Sequence, residues 1–404
     1  MTPKRKTNKV WVLSEYFYPE ETPTSFYITE IAKHFANNEK DTNVICSTSS
    51  INIDVNCRKY EQYEGINIFR VKSPNLNKDK LFQRLIKLLI TSITMTFKAM
   101  MKVKKNDIVF VATNPAFILL FMPLVKWFKR NKYYIIVHDV FPENLIVVNE
   151  NITKSFIYKI LKLCFNSAYS SADCCLTIGR DMSEVLLEKT KGKANCVCLN
   201  IWSDNILIKP QNKNCSVLYK SLRLDDRFVL EFAGNFGKAQ GIELLLKAAI
   251  LMKNTNVHFL FIGDGVCRSL IEETIEKHKI NNISLIGYQK RENQTDFLNA
   301  CDVAIVALKK NMYGLGVPSK AYNYMAAGKP ILFIGDENSE IDRCIKDFHI
   351  GYSVHSNSPE DLVKVINHIQ VQKEELKLQG RRARFLAENI YSKENILNKF
   401  LEFC

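Results

Sequence analysis

Ile108-Val-Phe-Val-Ala112, then Ala116-Phe-Ile-Leu-Leu-Phe-Met-Pro-Leu-Val-Lys-Trp-Phe-Lys-Arg130, then Tyr133-Tyr-Ile-Ile-Val137 is the stretch that decides the fold. Two short apolar runs flank one longer stretch with a helical pattern. Runs that are apolar throughout, rather than at alternate positions, are covered on both faces, as in a parallel sheet wound by helices. The alternation extends outward in both directions. Strand-like runs stand at 10–13, 43–46, 66–71, 174–178 and 196–199, with helical patterns at 25–37, 80–103, 155–170 and 180–190. The back half repeats the style, with strands at 228–233, 257–262, 283–286, 303–307 and 330–334. Its helical stretches are 241–252, 267–277, 294–299, 319–327 and 359–370.

The two halves meet at a polar stretch without periodicity, Asn200-Ile-Trp-Ser-Asp204 and Lys209-Pro-Gln-Asn-Lys-Asn214. This predicts an α/β chain of two doubly wound domains, 1–204 and 205–384, with a last helix, 385–404, packing back onto the first. Ligands bind such sheets at the carboxyl ends of their strands, so two facing edges would make one cleft. The 404 residues, 47% hydrophobic with 15 Gly and 11 Pro, exclude a disordered or collagen-like chain. The longest apolar stretch, 116–125, is half of what a membrane span needs. The opening apolar run, Val10-Trp-Val-Leu13, is too short for a signal peptide. Twelve cysteines without a CxxC or a paired Cys/His spacing predict buried thiols in a reducing cytosol and no metal site.

Charge is uneven. Residues 1–200 carry 29 Lys/Arg against 18 Asp/Glu, so most of the net +14 lies in the front half. Between residues 78 and 105 stand Lys78, Lys80, Arg84, Lys87, Lys98, Lys102, Lys104 and Lys105 against Asp79 alone. The helical pattern there also carries an apolar stripe. A basic amphipathic helix of this kind lies on anionic lipid, and Arg84, Lys87, Lys98 and Lys102 are the expected membrane contacts. The segment ending in Lys126, Lys129 and Arg130 would join it. The alternative is a core helix with a solvated basic face. Nucleic acid is not expected, since these charges are not interleaved with stacking aromatics.

Chemistry concentrates in three segments. In Tyr313-Gly-Leu-Gly-Val-Pro-Ser-Lys320, a Gly-rich turn leads into a helix start at Pro318 and Ser319. Free N–H groups and Lys320 there suit a diphosphate; an ordinary loop with a snorkelling lysine is the bland reading. In Phe232-Ala-Gly-Asn-Phe-Gly-Lys-Ala-Gln-Gly241, glycines follow a strand, as Gly263 and Gly287 follow the next two. Three strand ends in glycine would let a nucleotide approach backbone closely. In Ile136-Val-His-Asp-Val-Phe-Pro-Glu-Asn144, His138 and Asp139 sit at a strand end. No second His stands nearby for zinc, and no hydrolase triad is present.

These segments, in this order and with Glu15-Tyr-Phe-Tyr-Pro-Glu20, Ile178-Gly-Arg-Asp-Met182 and Met325-Ala-Ala-Gly-Lys-Pro330, resemble the retaining glycosyltransferases of family 4. The subgroup resembled builds bacterial O-antigens and capsules and includes N-acetyl-L-fucosamine transferases. The resemblance covers almost the whole chain. It implies the GT-B fold, two Rossmann-like domains facing across a cleft. It also implies a nucleotide-diphosphate sugar, UDP-linked, as donor, a lipid-diphosphate-linked saccharide as acceptor, no cofactor and no metal. It places the donor against Gly234, Asn235, Gly237, Lys238, Gln240, Gly263, Gly287, Pro318, Ser319, Lys320 and Asn323. Catalytic roles fall to His138, Asp139 and Lys320, and acceptor-side roles to Thr24, Ser25, Asn114 and Arg180.

The sequence departs from the family at several places. Asn235 and Gln240 stand where a neighbouring Arg and Lys are usual, and Asn323 where a second Glu is usual. Lys320, with Lys238, must then carry most of the charge facing the diphosphate. Pro23-Thr-Ser25 replaces the usual glycine pair in the acceptor loop. A nucleotide-sugar epimerase of the same fold and a non-catalytic donor-binding scaffold are the competing readings. A lipid-linked acceptor implies work at the cytoplasmic face of the membrane.

Overall fold

The computed structural model describes residues 8–48, 59–76, 81–147 and 150–404. The chain forms two compact units: Met1–Ile178 with Met182–Leu199 and Leu397–Cys404, and Gly179–Asp181 with Asn200–Ile396. The boundary thus falls before Asn200 rather than after residue 204.

Unit 1 runs β1 (Val10–Leu13), α1 (Pro23–Asn37), β2 (Thr42–Ser47), β3 (Tyr60–Tyr63), β4 (Ile66–Val71), α2 (Leu81–Lys102), β5 (Ile108–Ala112), α3 (Ile118–Lys129), β6 (Lys132–Val137), α4 (Phe156–Ser171), β7 (Cys174–Thr177), α5 (Arg180–Lys189) and β8 (Cys196–Cys198). Its sheet has the order β3-β4-β2-β1-β5-β6-β7-β8. Only β3 is antiparallel to its neighbour among these described strands. On the central strand, Val12 lies between Val44 and Phe110, and all three are fully buried. The strand β3 escapes a search for apolar runs because Tyr60-Glu-Gln-Tyr63 is an exposed edge strand. Its signal is the two-residue turn Glu64-Gly65, both at left-handed φ (45° and 78°).

Unit 2 runs α6 (Val217–Ser221), β9 (Phe228–Ala233), α7 (Ile242–Leu251), β10 (Val257–Ile262), α8 (Arg268–His278), β11 (Ile283–Ile286), α9 (Gln294–Phe297), β12 (Val303–Ala307), α10 (Lys320–Ala326), β13 (Ile331–Ile334), α11 (Glu340–Phe348), β14 (Gly351–Val354), α12 (Pro359–Val371) and α13 (Lys373–Asn389). The sheet, β11-β10-β9-β12-β13-β14, is parallel throughout. Its helices pack Leu245, Ile271 and Ile366 onto Phe259, Phe261 and Leu332. The edge strand β14 and the helix α11 were not expected, since neither has a long apolar run.

The tail is two helices rather than one. α13 stays in unit 2, and α14 (Lys393–Leu401) follows it. From Leu397 onward the chain belongs to unit 1, where Phe400 packs on Phe110 and Phe403 on Tyr134. Both doubly wound domains are therefore present, each with its own core.

Candidate functional site

Strand β9 of unit 2 is followed by Gly234, whose N–H donates to the Ile262 carbonyl at 2.8 Å. Gly263, at the end of β10, donates in turn to Ile286 at 2.9 Å. Both glycines have φ that L side chains avoid, +131° and +137°. Their reasons differ. A Cβ on Gly263 would stand 2.0 Å from the Gly234 carbonyl oxygen, so this glycine serves close packing of two strand ends. A Cβ on Gly234 would meet only the Lys320 side chain, at 3.4 Å. Gly287, after β11, faces open space. The three strand-end glycines that look alike in sequence thus have three different surroundings.

Lys320 is the first residue of α10, a helix of seven residues. Pro318 and Ser319 precede the helix rather than start it, and the Ser319 side chain makes no cap bond. Two turns carry little dipole, so the lysine side chain dominates this end. Its Nζ lies 3.3 Å from the Phe232 ring centroid, is shut off from solvent, and makes no hydrogen bond. Burial pushes its pKa well below the usual lysine value, with no acid alongside to oppose the shift. A buried ammonium with only a ring face beside it is a receptor for an anion.

The loop before Lys320 is held by acids. Asp336, just after β13, accepts from the N–H groups of Asn311 (3.2 Å), Met312 (2.7 Å) and Tyr313 (2.8 Å). Asp181 accepts from Gly314 at 3.2 Å and Glu340 at 3.1 Å, and Arg343 donates to the Tyr313 hydroxyl at 2.9 Å. A small open cleft beside the loop is lined by Gly316, Val317, Pro318, Asp181, Asp336 and Ser339 among others. Beneath it, the Tyr324 hydroxyl accepts from the Ala233 N–H at 2.8 Å and donates to Glu231 at 3.1 Å. Burial raises the Glu231 pKa to about 8, so that carboxyl is protonated at neutral pH. This pair ties α10, which bears Lys320, to the strand that bears Gly234. Nothing short of the folded sheet brings Glu231, Tyr324 and Asp336 to the site, although Glu231 stands out as an acid inside an apolar run.

The other expected donor residues lie in the loop after β9. Asn235 and Lys238 are exposed at its tip. Gly237 precedes a single 3-10 turn, and the Gln240 side-chain oxygen is buried without a partner. Asn323 is half-buried on α10.

Unit 1 has its own polar edge. His138 and Asp139 follow β6, and their N–H groups donate to the Thr113 hydroxyl at 3.2 and 3.3 Å. Desolvation lowers the His138 pKa to about 4, and its Nδ1 has no partner, so the ring is neutral at physiological pH. Desolvation raises Asp139 to about 6, against a hydrogen bond from Asn144 (2.9 Å) and the charge of Arg84. Burial raises Glu15, after β1, to about 7 against the charge of Lys87. Its N–H donates to the Asn114 carbonyl at 2.8 Å. Thr24 and Ser25 sit within the first turn of α1 rather than in a loop, because Thr22 caps the helix and accepts from the Ser25 N–H at 3.2 Å.

Arg180 belongs to unit 2 and is engaged by two carboxylates, Glu340 at 3.0 Å and Asp347 at 2.7 Å. Those contacts occupy its guanidinium and make it a structural tie. On α2, Lys98 and Lys102 stand 5.8 and 5.0 Å from the Phe69 ring centroid. Arg84 and Lys87 act electrostatically on Asp139 and Glu15. Lys78, Asp79 and Lys80 lie outside the described residues. Among the described residues, no three His, Cys, Asp or Glu side chains gather as a metal site.

Residues 219–384 match the family described as Glycosyl transferases group 1. The chain is 30% identical to the probable glycosyltransferase WbjE of Pseudomonas aeruginosa, over 97% of this chain and 96% of that one. It is 24% identical to the putative colanic acid biosynthesis glycosyl transferase WcaI of Escherichia coli, over 58% of each. Its structure is similar to that of Anabaena HepE in complex with UDP and glucose. The TM-score there is 0.71 and the identity 13%, over 98% of both chains.

Proposed function

Because the chain belongs to the group 1 glycosyl transferases and has their GT-B fold, we propose that it moves a sugar, an N-acetylated deoxyhexose, from a UDP-linked donor onto a lipid-diphosphate-linked saccharide in surface-polysaccharide synthesis. The observation that carries this reading is the Lys320 Nζ, closed off from water beside Gly234 and without a hydrogen-bond partner. A diphosphate supplies the counter-charge that this nitrogen lacks. The WcaI name, with colanic acid, supports the surface-polysaccharide assignment, and UDP in the HepE complex supports the nucleotide.

In the reaction the bond between the anomeric carbon and the donor diphosphate oxygen breaks. A bond from that carbon to an acceptor hydroxyl oxygen forms, and the hydroxyl proton leaves with the departing diphosphate. The chemical need is charge stabilisation on the leaving group, which an ammonium in a water-poor site supplies without reorganisation. We propose retention of configuration and no requirement for a divalent metal, both on the resemblance to family 4. His138 takes part as a neutral imidazole, able to accept or donate one hydrogen bond but not to act as an acid at neutral pH.

The test is an assay of the purified protein against a panel of nucleotide sugars with a lipid-diphosphate-saccharide acceptor. Transfer from a UDP-sugar, lost in Lys320→Ala, is expected. Conversion of the free nucleotide sugar without acceptor would establish an epimerase instead, and UDP binding with no turnover of any donor would leave a binding protein.

A further inference from the structure

In unit 1, α2, α3 and α4 follow one another along one side of the sheet, α3 packing against both neighbours. Helices that cover a sheet normally turn charge outward. Here the outward positions are large and apolar. Phe97 (67% exposed) and Met101 stand on α2, Trp127 (72%) and Phe128 on α3, Phe156 (75%) and Leu163 (71%) on α4. With the exposed Ile93 on α2, Leu124 on α3 and Ile160 on α4, these positions fall at helical spacing (93, 97 and 101; 124, 127 and 128; 156, 160 and 163), so each set forms one stripe facing away from the core. The three helices contain eight Lys/Arg and no Asp or Glu.

We propose that this three-helix face docks flat on an anionic lipid bilayer. The charge argument selects the occupant. Lys126 pairs with Asp173 and Lys162 with Glu143, but the helices themselves contribute cations and no acids, and such a face complements a surface of phosphate headgroups. It does not complement a second copy of itself, since a two-fold contact would set lysines against lysines. Exposed Trp and Phe fit the boundary between headgroups and acyl chains. Among the described residues no helix is long and apolar enough to cross a membrane, so the contact lies in the plane of the interface. The apolar anchor is therefore wider than α2 and α3, the two helices that the sequence picks out, and its centre is Trp127. The surface lies wholly within unit 1 and does not depend on the identity of the donor.

Trp127 provides the test, because the other two tryptophans, Trp11 and Trp202, are only 2% and 3% exposed. Phosphatidylglycerol-containing vesicles are expected to shift the protein's emission to the blue and to carry it in flotation, whereas pure phosphatidylcholine vesicles do neither. Trp127→Phe should lose the shift and keep flotation. Trp127→Glu combined with Leu163→Glu should cut the floated fraction at least tenfold, with an unchanged circular-dichroism melt. Quenching of wild-type Trp127 by brominated lipid serves as a second readout that needs no variant. The proposal is overturned by a silent Trp127 with both vesicle types or by undiminished flotation of the double variant. Equal binding to neutral vesicles, or sedimentation showing a dimer that shields Trp127 without lipid, would also overturn it.

Discussion

At the scale of single residues, Lys320 illustrates how a site trades stability for binding. When no anion shares its pocket, the buried nitrogen releases its proton at a pH well below that of an exposed lysine. A bound diphosphate restores the charge. Binding therefore takes up a proton, and UDP affinity falls as pH rises through the interval between the two pKa values. Titration calorimetry in buffers of different ionisation enthalpy reads this directly; a proton count of zero would refute it. Lys320→Met removes the buried charge but keeps the stem, so it should melt higher than wild type while transfer falls roughly 10²–10³-fold. Glu231 carries the opposite sign. Its folded pKa of about 8 exceeds the unfolded 4.5, so its contribution is present below 4.5 and is lost as pH rises toward 8. Relative to wild type, Glu231→Gln should gain thermal stability steadily across that window, since Gln still accepts from Tyr324.

At the scale of elements, the strand ends of unit 2 separate packing from binding. Gly263→Ala puts a Cβ into the Gly234 carbonyl at an unfavourable φ, and should cost about 3 kcal/mol or more. Gly287→Ala meets nothing and should change stability by less than about 0.5 kcal/mol. Any loss of UDP binding in the Gly287 variant then reports the ligand rather than the fold. Asp336 makes the most bonds to the loop before α10, receiving three N–H groups where Asp181 receives one from the same loop. Asp336→Ala should destabilise by roughly 2–4 kcal/mol and raise the donor KM through misplacement of Lys320. A variant with wild-type KM and melting temperature would show that the loop holds itself.

At the scale of the whole molecule, the chain's last residues return to the unit in which it began. Phe400 is buried against Phe110 at the centre of the unit 1 sheet. Phe400→Ala should cost about 3–5 kcal/mol. The loss should appear by hydrogen exchange in β5 and β6 of unit 1 and not in the sheet of unit 2. Equal loss in both units would contradict the division of the chain.

Strand runs such as Val10–Leu13, Phe228–Ala233 and Val257–Ile262 were legible in the sequence because buried parallel strands are apolar at every position. Edge strands such as β3 were not, since half their positions face water. The sequence by itself determined two doubly wound α/β halves, a break near residue 200, and a glycine-rich loop leading into a helix that begins at Lys320. Only the tertiary structure decided what surrounds each residue. It set Lys320 against Phe232, gave Arg180 to Glu340 and Asp347, and placed Asp336 under three loop N–H groups. It also lined up three apolar stripes that lie far apart in the chain. The physical reason is range: periodicity records which side of an element is buried, whereas partnership and exposure depend on elements brought together by the fold.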